Sequence, residues 1–205
     1  MHTITLLRHG ESDGNANGLI QGQVDLPLTE KGQQQALILA QAWQAEGRQF
    51  DQIIASPLLR ARETAEIIAE KLKLGVEYDA IWMERSFGSI DGQVYKEVEQ
   101  QIPRTDFSHP YLPPGETGES QFDLFNRAGQ AIQGLIRRPP GVYLIVSHGA
   151  FLNMAMFGIL GMSPLTNPRS THFAFSNTGY VDLTYNDELS KWRIHRFWSN
   201  NNGIF

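Results

Sequence analysis

The sequence predicts an α/β fold, a three-layer α/β/α sandwich with a mostly parallel central sheet and an antiparallel edge. Three observations predict it. Short apolar runs alternate with longer stretches of helical periodicity through most of the chain. Val142–Val146 is an unbroken apolar run, as in a strand buried on both faces of a parallel sheet. The last third turns to β-rich segments separated by turn residues, which suits antiparallel pairing at one edge.

Thr3–Leu7 is the first strand. Thr29 to about Glu46 is a helix, with Thr29 as its N-cap and Ala36, Leu37, Ala40 and Trp43 at helical spacing. Gln52–Ala55 is a short buried strand. Ser56 is expected to cap the next helix, with Pro57 at its first position and Leu59, Ala65, Ile68 and Leu72 in its apolar stripe. A brief strand lies at Val76–Tyr78, and a long helix runs from about Ser120 to Arg137. After Pro139-Pro140-Gly141 comes Val142–Val146, then a helix from about Ala150 to Leu160 in which Met154, Met156 and Phe157 read as core. His172–Phe175, Gly179–Tyr185 and Lys191–Phe197 read as strands, the last two joined by a turn at Asn186-Asp187. Phe173 and Phe175 suit either the core or a dimer edge, so a homodimer is admissible. The stretch from Ile102 to Gly118, with Pro103, Pro110, Pro113 and Pro114, is the most loop-like. It belongs to a loop insertion at about 86–118 within one catalytic domain spanning 1–205.

Composition narrows the chemistry. The 205 residues include no cysteine, which excludes disulfides, a thiolate nucleophile and metal sites built on sulfur. Seventeen Lys+Arg against 22 Asp+Glu give a net charge of −5, which argues against a nucleic-acid partner. The N-terminus lacks the pattern of a signal peptide, and the apolar run Ala150 to Met162 is too short to span a bilayer. A cytoplasmic protein without a membrane partner is the default expectation. Twelve of the basic residues are Arg, the side chain suited to bidentate capture of carboxylate or phosphate.

Ligands of open α/β sheets bind beyond the carboxyl ends of the parallel strands. The first strand ends in Arg8-His9-Gly10-Glu11-Ser12, the second in Ser56-Pro57-Leu58-Leu59-Arg60, and the Val142–Val146 strand in Ser147-His148-Gly149 at the start of a helix. Two arginines and two histidines thus come to one sheet edge beside a helix N-terminus. Planar guanidinium donors and free backbone N–H groups make such an edge an anion site.

These residues also resemble a known family. Arg8-His9-Gly10-Glu11-Ser12 looks like the signature of the histidine phosphatase superfamily, the phosphoglycerate-mutase-like proteins. Ser56-Pro57-Leu58-Leu59-Arg60-Ala61-Arg62-Glu63-Thr64-Ala65 resembles the second block of its larger branch, Ser147-His148-Gly149 the third, and Gly118-Glu119-Ser120 a further signature at a helix start. The resemblance covers nearly the whole chain in the expected order. It implies a phosphoglycerate-mutase-like fold and a small phosphate ester as substrate, with no cofactor and no metal. It implies further that His9 is the nucleophile that becomes phosphohistidine, with Arg8, Arg60 and a protonated His148 around the phosphate. Glu84, in Trp82-Met83-Glu84-Arg85-Ser86-Phe87-Gly88, resembles the acid of the family's loop; Asp13 and Glu11 are weaker alternatives. Asp91-Gly92 stands where the family usually shows Glu-Gly. Asn15 falls at a phosphate-holding position, and Ser12, Gln21 and Gly149 are further binding candidates.

The same resemblance separates hydrolase from mutase. Mutases of the family usually carry a Trp where this chain has Gly14, and Phe-Thr-Gly-Trp-like residues where it has Ile20-Gln21-Gly22-Gln23. They are also longer. All three departures favour phosphomonoester hydrolysis. Phosphoglycerate-mutase-type transfer and an inactive phosphate-binding module are the alternatives. A metal hydrolase using His9, His148 and Glu84 as ligands is disfavoured, because two flanking arginines would repel a divalent cation. Residues Tyr95, Arg104, His109 and Tyr111 are candidates for the wall over the pocket.

Overall fold

The computed structural model describes residues 1–102, 107, 109–164 and 172–199. Six strands form one sheet: β1 (His2–Arg8), β2 (Gln52–Ala55), β3 (Val76–Tyr78), β4 (Val142–Ser147), β5 (Tyr180–Asn186) and β6 (Lys191–Trp198), in the order β3-β2-β4-β1-β5-β6. β1, β2, β3 and β4 pair in parallel, whereas β5 runs antiparallel to β1 and β6 antiparallel to β5. The mixed sheet and its antiparallel edge are therefore as expected.

Two-residue alternation along the central strands decides which helices cover which face. Ile4 and Leu6 of β1 and Tyr143 and Ile145 of β4 face one cluster, which also holds Leu124, Ala128, Phe151 and Leu152. Those four belong to α5 (Gln121–Ile136) and α6 (Gly149–Ile159), so these two helices cover that face. Leu7, Leu144 and Val146 face the other cluster, with Ala40 and Trp43 of α2 (Glu30–Ala45) and Ala61, Ala65 and Ile68 of α3 (Leu59–Leu72). Burial on both faces explains why β4 is apolar without interruption. The Met154, Met156 and Phe157 stripe is core, as is Phe175, while Phe173 is partly buried against the same cluster.

Caps follow the sequence in part. Thr29 and Ser120 accept from Gly32 N–H and Asp123 N–H at the starts of α2 and α5. The expected Ser56 cap is not formed. α3 begins at Leu59 with Leu58 as N-cap and no side-chain cap bond, so Ser56 stands before the helix, where its Oγ accepts from Leu58 N–H at 3.3 Å and lies 2.8 Å from His148 Nε2. His172–Phe175 is likewise irregular chain and not a strand: β1 is already flanked by β4 and β5, so no sheet edge is open to it there. Two short helices fall where the sequence carries no periodic signal, α1 (Asp13–Ala16) and α4 (Tyr95–Gln101), the latter inside the expected insertion. Among the described residues no helix is long and apolar enough to cross a membrane.

Candidate active site

Strand register brings the polar residues together. Arg8 at the end of β1 stands beside Ser147 at the end of β4, and His9 N–H donates to Ser147 O at 3.0 Å. Ser56 N–H donates to Val146 O at 3.0 Å, which ties the end of β2 to the same level. The resulting cavity of about 410 Å³ is lined at its polar part by Arg8, His9, Asn15, Gln21, Arg60 and Glu84.

His9 is 2 % exposed, and its ring is fixed by Nδ1, which lies 2.6 Å from Gly10 O. A carbonyl can only accept, so Nδ1 carries the proton and Nε2 keeps its lone pair. Burial, and after it the charges of Arg60 and Arg8, hold the His9 imidazole well below its ordinary range. It is therefore neutral at pH 7. Gly10 needs to be glycine: a Cβ there would stand 2.6 Å from Gly32 O in the first turn of α2. Gly10 N–H donates to Thr64 Oγ1 at 3.0 Å, and Thr64 Oγ1 donates in turn to Arg60 O at 2.7 Å.

His148 is fully buried with its ring centroid 5.1 Å from that of His9. Its Nε2 lies 2.8 Å from Ser56 Oγ, which also accepts from Leu58 N–H at 3.3 Å. When Ser56 gives its own proton to Nε2, Nδ1 is the N–H donor of the ring. The expectation of a protonated His148 is corrected here. Burial, then the charges of Arg60, His9 and Arg8, keep its pKa well below the ordinary value, so the ring is neutral and can donate only one proton.

The arginines are anchored at their tips. Arg8 Nη1 donates to Phe175 O at 2.6 Å, and Arg60 donates from Nη1 to Val24 O at 2.9 Å and from Nη2 to Gly22 O at 2.8 Å. Burial lowers the pKa of both, Arg60 to about 10, which leaves them charged at neutral pH. Arg8 Nε, Arg60 Nε and His148 Nδ1 are enclosed and have no partner. Three such atoms gathered in one site beside two guanidinium charges suit an anion with several oxygens. Gly149, the first residue of α6, adds an N–H with no acceptor inside its helix.

Glu84 lines the same cavity. Its Oε1 accepts from Arg85 N–H at 2.9 Å and Phe151 N–H at 3.0 Å, and its Oε2 from Ala150 N–H at 3.2 Å, so the carboxylate sits on the N-terminus of α6. Arg85 does not pair with it. That guanidinium donates to Glu119 O and Phe107 O, both at 2.9 Å. Glu11 is tied to Lys31 Nζ at 2.6 Å, and neither Glu11 nor Asp13 lines the cavity.

Ser12 lies behind the wall. Its Oγ is 3.0 Å from Asn15 Oδ1 and 2.7 Å from Gln21 Oε1, within the capping box of α1. With Oδ1 committed there and to Asn177 Nδ2 at 3.1 Å, the amide N–H groups are what Asn15 can offer a ligand. Gly14 is packed directly on the Gln21 side chain, which occupies the space a larger residue at 14 would need. Tyr95 lines the cavity, whereas Tyr111 is exposed and stacks on Phe122, and His109 Nδ1 accepts from Tyr111 and Leu112 N–H. Arg104 lies outside the described residues.

The sequence did not reveal Asn177, whose Nδ2 also donates to His9 O at 3.2 Å, or Arg127. Arg127 donates to the carbonyls of Ile81, Met83 and Glu84 and, bidentately at 2.7 Å, to the Glu119 carboxylate. Glu119, within the quoted Gly118-Glu119-Ser120 signature, was the available signal for this clamp.

A family model described as histidine phosphatase superfamily (branch 1) matches residues 4–199. The chain belongs to that superfamily. A relative from Citrobacter koseri, a probable phosphoglycerate mutase GpmB, is 34% identical over 166 residues, covering 79% of this chain and 76% of the relative. A mutant of phosphoserine phosphatase from Entamoeba histolytica, solved with phosphoserine, is 28% identical with a TM-score of 0.79 over 97% of this chain and 98% of that one. Mycobacterial glucosyl-3-phosphoglycerate phosphatase, at 24% identity, shares the fold with a TM-score of 0.84 over 98% of this chain and 100% of that one.

Proposed function

We propose that this superfamily member is a phosphomonoester hydrolase that works through a phosphohistidine at His9 and needs no metal. The observation that carries the reading is the free, neutral Nε2 of His9 in one site with three buried, unpartnered donors, Arg8 Nε, Arg60 Nε and His148 Nδ1. Nε2 attacks phosphorus in line while the bond from phosphorus to the ester oxygen breaks, and the Glu84 carboxyl gives its proton to the leaving oxygen. Charge on the three equatorial oxygens is met by the two guanidinium groups, His148 N–H and Gly149 N–H, the place a metal takes in other phosphatases. The Glu84 carboxylate then takes a proton from water. The resulting hydroxide attacks phosphorus, the P–N bond breaks, inorganic phosphate leaves, and Glu84 is again protonated. Arg127 and Glu119 hold the Glu84 backbone in position for both steps. Asn15 donates to the phosphate, with Ser12 and Gln21 fixing its orientation.

The test is hydrolysis of p-nitrophenyl phosphate in the presence of EDTA. Turnover that persists with chelator and falls to background in His9→Ala supports the reading; turnover that EDTA abolishes, or that His9→Ala retains, refutes it. The relatives named as probable phosphoglycerate mutases support a second reading, phosphoryl return to a second hydroxyl. The contact of Gly14 with Gln21 favours hydrolysis, because Gln21 fills the space that the Trp usual in the family's mutases would need at this position. Conversion of 3-phosphoglycerate to 2-phosphoglycerate faster than phosphate release would favour the mutase.

A further inference from the structure

Phosphate binding accounts for only part of the cavity. The rest of its wall is made by Leu19, Ile20, Phe87, Tyr95 and Phe107. These side chains form one surface. Ile20 is buried in a small apolar cluster with Ile90 and Val98, against which Phe87 and Phe107 pack. The Tyr95 and Phe107 rings are 6.0 Å apart. The backbone fixes the arrangement, since Tyr95 N–H donates to Gly18 O at 2.9 Å and Leu19 bridges to Val94.

Among the described residues, Arg8 and Arg60 are the only basic side chains that line the cavity, and both belong to the phosphate part. Two other described arginines of this region are committed elsewhere. Arg85, 5 % exposed and outside the cavity lining, donates to two carbonyls and lies 5.0 Å from the Phe87 ring centroid. Arg127 is held by the Glu119 carboxylate. A leaving group carrying a carboxylate would lose its water against Leu19, Ile20, Phe87, Tyr95 and Phe107 and gain no cation in return among the described residues. An uncharged ring or alkyl chain would exchange water for apolar contact along the same surface.

We propose that the substrate is a phosphomonoester of an apolar, uncharged alcohol or phenol, whose leaving group rests on this wall. The inference rests on the hydrolase reading and adds the class of alcohol to it. It separates this chain from the relative solved with phosphoserine, whose ligand carries both a carboxylate and an ammonium group.

The experiment compares para-ethylphenyl phosphate with para-(carboxymethyl)phenyl phosphate, two esters of closely similar shape and phenol acidity that differ in the carboxylate. The expected kcat/KM for the neutral ester is higher by at least about tenfold, chiefly through KM. A ratio near one, or a preference for the carboxylate, overturns the substrate class while the hydrolase reading stands. Turnover of both esters no faster than in His9→Ala overturns the hydrolase reading and this inference with it. Leu19→Arg adds a cation to the wall. It is expected to move the ratio toward the carboxylated ester by about tenfold, and an unchanged ratio in a folded variant overturns the assignment of this wall to the leaving group.

Discussion

Replacing Arg127 by Met removes a guanidinium whose donors reach five oxygens on two segments of chain. They lie at 2.9, 2.7 and 3.1 Å from the carbonyls of Ile81, Met83 and Glu84, and at 2.7 Å from each oxygen of Glu119. Met keeps much of the side-chain volume, so the loss is electrostatic. A hydrogen bond to a charged partner is worth ~1.5–3 kcal/mol, but Arg127 and Glu119 side chains are each 19% exposed and water partly replaces what is removed. Summed and discounted in this way, the expected destabilisation is about 3 kcal/mol, with Glu119 left as a carboxylate lacking its partner. Urea unfolding of wild type, Arg127→Met, Glu119→Gln and the double variant measures it. The double-mutant cycle is expected to give a coupling of at least about 1 kcal/mol. The same variant tests function, because three of the five acceptors belong to the segment that ends in Glu84. The loss of kcat in Arg127→Met should be greater for alkyl than for aryl phosphates, the pattern of a misplaced acid. A coupling near zero, or a kcat loss independent of the leaving group, would refute the clamp.

Glu84→Ala itself should slow alkyl phosphates by ~10²-fold or more and activated aryl esters much less, since aryl leaving groups need less protonation; equal losses in steady-state rates would remove Glu84 from the acid role. Both site histidines have pKa values lowered in the fold, so between those values and the unfolded imidazole value of about 6.5 the unfolded chain binds more protons. The stability from their neutral burial is complete above pH ~6.5 and is lost as pH falls below it, by up to ~1.4 kcal/mol per unit for each histidine. Denaturant midpoints measured from pH 7 to 5 in wild type and His148→Gln should show a shallower slope in the variant, and identical slopes would contradict the assignment. Gly14→Trp should displace Gln21 and abolish hydrolysis of p-nitrophenyl phosphate or reduce it by more than about tenfold, because the cavity beside Asn15 has no space for the indole; a fully active, folded variant would show that this wall yields.

The strand ends were legible because apolar runs stop there and polar residues follow. Arg8, His9, Arg60 and His148 lie in one site for that reason, and Glu84, suggested by the resemblance of its loop, lines the same cavity. What the sequence concealed depends on partners distant along the chain. Ser56 has the composition of an N-cap, yet the helix starts only at Leu59 and the Ser56 hydroxyl contacts a histidine 92 positions away. The charge of His148 could not be read either, since it is decided by burial together with Arg60, His9 and Arg8. Asn177 and Arg127 act through main-chain carbonyls of other segments, which leaves no periodic trace. α1 and α4 were missed because helices of 4 and 7 residues are too short to display a repeat.

The central claim is covalent transfer to His9, and rapid quenching tests it most directly. With a slowly hydrolysed aryl phosphate in excess over enzyme, a quench at alkaline pH preserves phosphohistidine for mass analysis of the peptides. The mechanism predicts one phosphoryl group on the peptide carrying His9, formed no more slowly than turnover and absent from His9→Ala. Active enzyme that accumulates no phosphoryl group even when Glu84→Gln slows its release, or that carries it on another residue, would contradict the mechanism.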